Sequence, residues 1–401
     1  IAGDVVALAG LARQAGQLDE ALLLCRRAEK LAQEDKDQGA LALATAELAA
    51  LHQETGDYDR ALVECRTVLE LYQRELGDEH PATAAAMDAL GVAYQKVGQY
   101  ERARKKHLQA LAVKEQVLGS GHLDVASTLQ NLGVCADEGE ADYAKGREWK
   151  EKALAILRRS LPALHPQVGN TIMSLGESAR AMGDSEGAQQ YLEQACQIFR
   201  ASLGNSHPLL AASLNNLAQV HRGRGRWDEA LLLMEQSVSI KRECLSASHP
   251  STATGLSNLA GIWEDGYKDL PRALKLRRRA LEMVEASLGP DHPQCAVLAN
   301  NLGVLLSRMG EYEEANGLYE RALAIDEAVY GSEHPQTATD LNNLATLAFH
   351  VGEWHLSRQL YARALATREA ALGRGHPKTS ATRRNLALVE AKIAEAEARE
   401  G

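Results

Sequence analysis

The chain has 401 residues, 45% of them hydrophobic but only 4% aromatic, and carries 54 acidic against 44 basic side chains for a net charge of −10. Both signs are interleaved, which gives no general reason to expect a nucleic-acid partner, and no apolar run approaches the roughly 20 residues that cross a bilayer. Six cysteines (Cys25, Cys65, Cys135, Cys196, Cys244, Cys295) stand far apart without a CxxC pair; with no signal peptide visible, they read as reduced, part-buried thiols in a cytoplasmic protein.

Ala, Leu, Glu, Arg and Gln dominate, nearly every proline sits in a short connector, and no alternating Val/Ile/Thr run argues for a strand. The chain reads as all-α. In chain order, the first two units are divergent. Gly16, Leu18, Ala21 and Ala28, then Gly56, Tyr58, Ala61 and Val68, predict hairpins at about 3–35 and 38–77. From there the rhythm is strict. His80, His122, His165, His207, His249, His292, His334 and His376 follow one another at steps of 42 or 43 residues, and all but His122 precede proline. Leu stands ten residues after each His, from Leu90 to Leu386, and is followed by a small residue such as Gly91, Gly176, Gly303 or Ala345. Gly usually comes at the eighteenth position (Gly98, Gly183, Gly225, Gly310, Gly352), with an aromatic two further on (Tyr100, Trp227, Tyr312, Trp354). The pattern predicts hairpins at 81–119, 123–161, 166–204, 208–246, 250–289, 293–331 and 335–373. A polar, Ala-rich capping helix at 377–398 completes a single repeat domain over 1–401.

Each landmark has a local cause. The mid-repeat Gly ends the first helix by taking a left-handed conformation without a Cβ penalty. The second helix runs to a Leu-Gly stop such as Leu288-Gly289 or Leu372-Gly373. His-Pro then restarts the chain, because proline is tolerated in a first helical turn and cannot continue the preceding helix. The small residue lets two antiparallel helices approach closely. Both 43-residue steps trace to enlarged turns, at 137–146 and 264–273, where insertion is cheap.

The small–aromatic–small signature on a helix–turn–helix unit resembles the tetratricopeptide repeat, whose usual period is ~34 residues. The longer version here, with "LNNLA" (214–218, 341–345) and "YERALAIDEAVYGSEHP" (319–335), is similar to the repeat of kinesin light chains and of nephrocystin-3-type scaffolds, strongly over 81–390 and more weakly over 3–77. The resemblance implies a right-handed superhelical solenoid. First helices would line a concave groove that takes short extended or helical peptides, and second helices the convex back.

Immediately before the recurring Leu stand Asn131, Asn216, Asn258, Asn301, Asn343 and Asn385. Asn is a poor residue inside a helix, so its recurrence predicts an amide ladder that either bridges neighbouring hairpins or contributes to binding. The position before it varies and is expected to face the groove. With neighbours on the same face it gives a candidate peptide-binding set of Asn170, Arg180, Asn215, Gln219, Arg222, Asn300, Arg308 and Asn342, within 165–345. Amides can satisfy an extended peptide's backbone and Arg adds charge-assisted bonds, so the expected ligand is an acidic or mixed peptide.

The basic runs "RARKKH" (102–107) and "KLRRRAL" (275–281) are expected to be solvated faces of second helices. The loop His residues lie one repeat apart, so two cannot share an ion, and each is expected to cap or pack its own loop. No nucleophile elbow, P-loop or dinucleotide fingerprint is present, so neither catalysis nor a cofactor is expected. Three functions remain: a peptide-binding scaffold or cargo adaptor, the sensor or regulatory arm of a larger protein, and an RNA-binding repeat. The charge pattern disfavours the last.

Overall fold

The computed structural model describes residues 2–14, 18–245 and 249–400. Among these residues every regular element is helical: α1 (Ala2–Gln14), α2 (Leu18–Glu34), α3 (Gln38–Glu54), α4 (Tyr58–Leu76), α5 (Pro81–Lys96), α6 (Tyr100–Leu118), α7 (Leu123–Cys135), a π-helical turn (Ala136–Glu140), α8 (Tyr143–Ser160), α9 (Pro166–Ala181), α10 (Ser185–Leu203), α11 (Pro208–Gly223), α12 (Trp227–Cys244), α13 (Pro250–Asp265), α14 (Leu270–Leu288), α15 (Pro293–Met309), α16 (Tyr312–Tyr330), α17 (Pro335–His350), α18 (Trp354–Leu372) and α19 (Pro377–Glu400). Apart from 123–161, whose helices α7 and α8 belong to different compact units, the predicted hairpins match helix pairs; 293–331 is α15 with α16, and 335–373 is α17 with α18. Gly16 in the first predicted turn and Ser246 at the end of a predicted hairpin lie outside the described residues.

The repeated His has a defined job. In all eight loops its Nδ1 accepts a hydrogen bond from the backbone N–H two residues on, at 3.0–3.2 Å. It is a helix N-cap, taking one of the amide donors that a helix start leaves unpaired. The lone pair on Nδ1 must be free, so each cap requires an imidazole unprotonated at that nitrogen. His122 keeps the bond although Leu123 replaces proline.

Turn glycines adopt positive φ, as at Gly98 (69°) and Gly310 (86°). The two enlarged turns solve the problem differently. There the left-handed residue is Ala141 (52°) or Lys268 (57°), while Gly139 and Gly266 lie against Tyr100 and Trp227, aromatics of the preceding hairpin, too closely for any Cβ.

The helices fall into two compact units, residues 1–139 with α1–α7 and residues 140–401 with α8–α19. In the first, α1/α2, α3/α4 and α5/α6 pair as hairpins and each second helix packs on the next first helix. In the second, α9/α10 through α17/α18 do the same, with α8 on α9 and α19 on α18. Each unit is thus a solenoid of stacked hairpins. No hairpin closes a core alone: one cluster runs from Val238 and Leu256 through Leu281, Leu302 and Tyr319 to Leu344 and Leu347. The small residue after the recurring Leu seats a second-helix side chain. A Cβ at Gly91 would come within 2.5 Å of the His107 ring, and one at Gly303 within 2.7 Å of Tyr319.

The basic runs are not simply solvated. His107 is 0% exposed and Arg277 8%; the run carries through the helix period, so one residue per turn points inward. Between successive second helices, Arg278 meets Glu314 at 2.8 Å and Arg321 meets Glu285 at 2.5 Å. All six cysteines are free, and only Cys244 is exposed. Burial pushes the Cys25, Cys65 and Cys295 thiols up to about 11, which removes them from thiolate chemistry at neutral pH.

Candidate functional site

In the second unit, successive first helices approach one another directly, α9 to α11, α13 to α15 and α15 to α17. They therefore share a face on which the variable polar positions collect. Two amide columns, one residue apart in sequence, meet across the joints. Asn258 donates to Asn215 at 2.9 Å and Asn343 donates to Asn300 at 3.0 Å, each reaching the preceding hairpin. Asn216 reaches back to Glu177 of α9 at 2.5 Å. Asn215 also donates to Asn216 at 3.2 Å. The ladder is discontinuous. The Asn301 carbonyl accepts from Arg277 at 2.8 Å, Asn385 engages the Tyr361 hydroxyl, and in the first unit the Asn131 carbonyl accepts from Gln95 at 3.1 Å.

The candidate residues divide by burial. Arg180 and Arg308 are exposed, and Asn170, Asn215, Gln219, Arg222 and Asn342 are half-buried. Asn300 is 7% exposed and donates to Asp340 at 2.5 Å, so it is occupied inside the joint rather than presented at the surface. Asn342 accepts a 3.4 Å bond from Thr382.

Charge gathers at one place. Arg222 of α11 bonds Asp265 at the end of α13. The other oxygen of Asp265 takes Arg308 of α15 at 3.2 Å. Arg308 also reaches Glu264 at 2.6 Å, and Arg277 holds the second Glu264 oxygen at 2.6 Å. Gly261 lies under the Arg222 guanidinium, where a Cβ would come within 2.9 Å. Burial alone would raise the Asp265 carboxyl, but Arg222 and then Arg308 outweigh it and hold it below the usual carboxylate range. Arg222 and Arg308 are thus brought together, through an Asp that the sequence reading did not single out. Its only signal is its place one residue past Glu264, at the enlarged turn.

Beside Arg308, a cleft of 180 Å³ opens between α15 and α17, lined by Val304, Ser307, Arg308, Tyr319, Asn343, Thr346, Leu347 and His350. Arg180 and Asn170 on α9 do not reach this cleft. The first unit offers a contrasting hollow of 240 Å³ among Ala46, Ala50, Gln53, Cys65, Ala89 and Val92. Also on α5, Asp88 receives His107 at 2.7 Å and Lys114 at 2.5 Å, and Lys114 donates to Thr128 at 2.9 Å, all of them buried. Among the described residues no helix is long and apolar enough to cross a membrane.

The family described as Tetratricopeptide repeat matches residues 40–116, 89–159, 138–201, 167–243, 209–266, 252–328 and 336–400. No curated protein matches the chain. Among solved structures, one of BtubC (BKLC) from P. vanneervenii is 23% identical over 62% of this chain and 94% of that one, with a TM-score of 0.44. A kinesin light chain candidate from Podosopora anserina with nearly identical TPR-like repeats is 26% identical over 50% and 94%, with a TM-score of 0.43. A Rap protein complexed with Competence and Sporulation Factor is 13% identical but covers 92% of this chain and 98% of that one at a TM-score of 0.60, a likeness of fold. On the matched repeats, the chain belongs to the tetratricopeptide-repeat family, whose arrays are protein-interaction scaffolds.

Proposed function

We propose that the first-helix face of α9–α17 binds a peptide segment of a partner protein, in the manner of an adaptor that links partners. The supporting observation is the cleft between α15 and α17, where an amide, three hydroxyls, an imidazole and a guanidinium converge beside the apolar Val304 and Leu347. That mixture suits an extended peptide, whose backbone groups need amide and hydroxyl partners while one or two side chains need apolar contact.

The charge arrangement refines the ligand. Arg222 and Arg308 already carry carboxylate partners, so the face is closer to balanced than a row of arginines suggests. A mixed peptide fits better than a strongly acidic one. A cargo-adaptor role is consistent with the 42-residue period, as one form of this reading.

The test is affinity capture of partner peptides on the whole chain, then titration of a captured peptide against Arg308→Ala and Thr346→Ala. Each is expected to weaken binding about three- to tenfold, about 1 kcal/mol per contact, with the helical signal unchanged. A captured peptide whose affinity is the same for both variants and the parent places its site elsewhere and refutes the proposal.

A further inference from the structure

The joint between one hairpin and the next contains a recurring pair of positions fourteen residues apart, one on the second helix and one on the following first helix. At three other joints a cation fills the first position, and at four more it is the uncharged Tyr72, Leu157, Phe199 or Val284. Lys114 meets Thr128 at 2.9 Å, Arg368 meets Thr382 at 2.5 Å, and Lys241 lies beside Gly255. At the α16–α17 joint both positions are acidic, Asp326 and Asp340, and both are 0% exposed.

Asp340 Oδ1 accepts from Asn300 at 2.5 Å. Among the described residues no N–H donor reaches Asp340 Oδ2 or either oxygen of Asp326. The register that brings Lys114 to Thr128 and Arg368 to Thr382 sets the Asp326 and Asp340 carboxyls against each other across this joint, away from water. Two carboxylates only accept, so they can hydrogen-bond to each other only when one carries a proton. The surrounding charges are committed to other partners. Glu327 of α16 is held by Arg363 of α18, Arg321 of α16 by Glu285 of α14, and Arg368 of α18 reaches Thr339 at 3.2 Å. On α15 the facing group is the uncharged Asn300, and His334, at the start of α17, is a neutral cap.

We propose that the Asp326–Asp340 pair is a proton-operated latch, in which one shared proton closes the joint between the α15–α16 hairpin and α17 and its loss loosens that joint. Burial, then the Asp340 charge, pushes Asp326 up to about 9, and burial pushes Asp340 up to about 6. Both stand above the free value of 3.8. The folded joint therefore holds protons that the unfolded chain has released, and this pair's contribution weakens as pH rises from about 4, where unfolded aspartates ionise, through about 9. Full ionisation confines two negative charges in a desolvated joint. It disturbs Asn300, and with it the 3.0 Å bridge from Asn343 that lies on the cleft. The latch does not depend on what the cleft binds.

The experiment uses the whole chain. Carboxyl-carbon NMR is expected to find one aspartate titrating above pH 8, absent from Asp326→Asn. Hydrogen exchange, corrected for intrinsic base catalysis, is expected to accelerate about tenfold or more in α16 and α17 between pH 7 and pH 10. It should stay level in Asp326→Asn, whose amide donates to Asp340 without needing a proton. Absence of such a carboxyl in the parent protein overturns the latch, as does alkaline loosening that persists undiminished in Asp326→Asn. Should that variant not fold, the parent's carboxyl titration decides alone.

Discussion

Replacing Gly91 by Ala sets two effects of opposite sign against each other. In a helix interior Ala is favoured over Gly by about 1 kcal/mol, and α5 is regular through this position. Yet the new Cβ would stand 2.5, 2.7 and 2.9 Å from three atoms of the His107 ring. That ring cannot swing away cheaply. It is 0% exposed and pinned to Asp88 at 2.7 Å, and Asp88 in turn holds Lys114. Overpacking of this kind costs about 1–3 kcal/mol, and breaking the buried His–Asp bond adds about 1–3 kcal/mol. The balance is a net loss of about 1–5 kcal/mol, confined to the hairpins around α5–α7. Gly317→Ala is the control. Gly317 lies inside α16 with nothing within 4 Å of its would-be Cβ, so the same substitution should stabilise by about 0.5–1 kcal/mol. Urea unfolding followed by residue-resolved hydrogen exchange reads both. If Gly91→Ala proves as stable as the parent, the His107 ring yields, and the argument that small residues are there for close approach fails.

Acid should weaken the second unit through its caps. Burial pushes the His334 imidazole down to about 4 from 6.5, so the unfolded chain takes up a proton first. Stability is full above about pH 6.5 and falls as pH drops towards 4, by up to about 3 kcal/mol. His334→Asn, which keeps a capping side chain, should flatten that acid limb in urea titrations. Leu302→Ala, in a cluster that draws on four hairpins, should cost about 2–5 kcal/mol and split the unfolding transition. Asp265→Asn should free Arg222 from its carboxylate, leaving Arg308 paired with Glu264 alone, and raise the affinity of the face for acidic peptides; an unchanged preference across a charge-graded peptide series would contradict the network.

Helix boundaries were legible in the sequence because their causes are local. A glycine at positive φ, an imidazole capping the amide two residues on, and a proline in a first turn all act within a few residues of chain. Hence α15 and α16 fall where Pro293, Gly310 and Gly331 place them. The inward face of each helix was legible for the same reason, since the repeat keeps Leu and its small neighbour in phase with the helical turn. What escaped was the assignment of partners. Asn300 and Asn343 were legible as polar residues on one face, but whether each meets solvent or the other, 43 residues away, depends on the offset between their hairpins. Asp265 gathers Arg222 and Arg308 from either side, at separations of 43 residues, and Asp326 finds Asp340 only because α17 stacks on α16. Local chemistry decided where each rod begins and ends. Stacking decided which polar groups face one another, since a side chain's partner is set by the packing of two helices and by no property of either one alone.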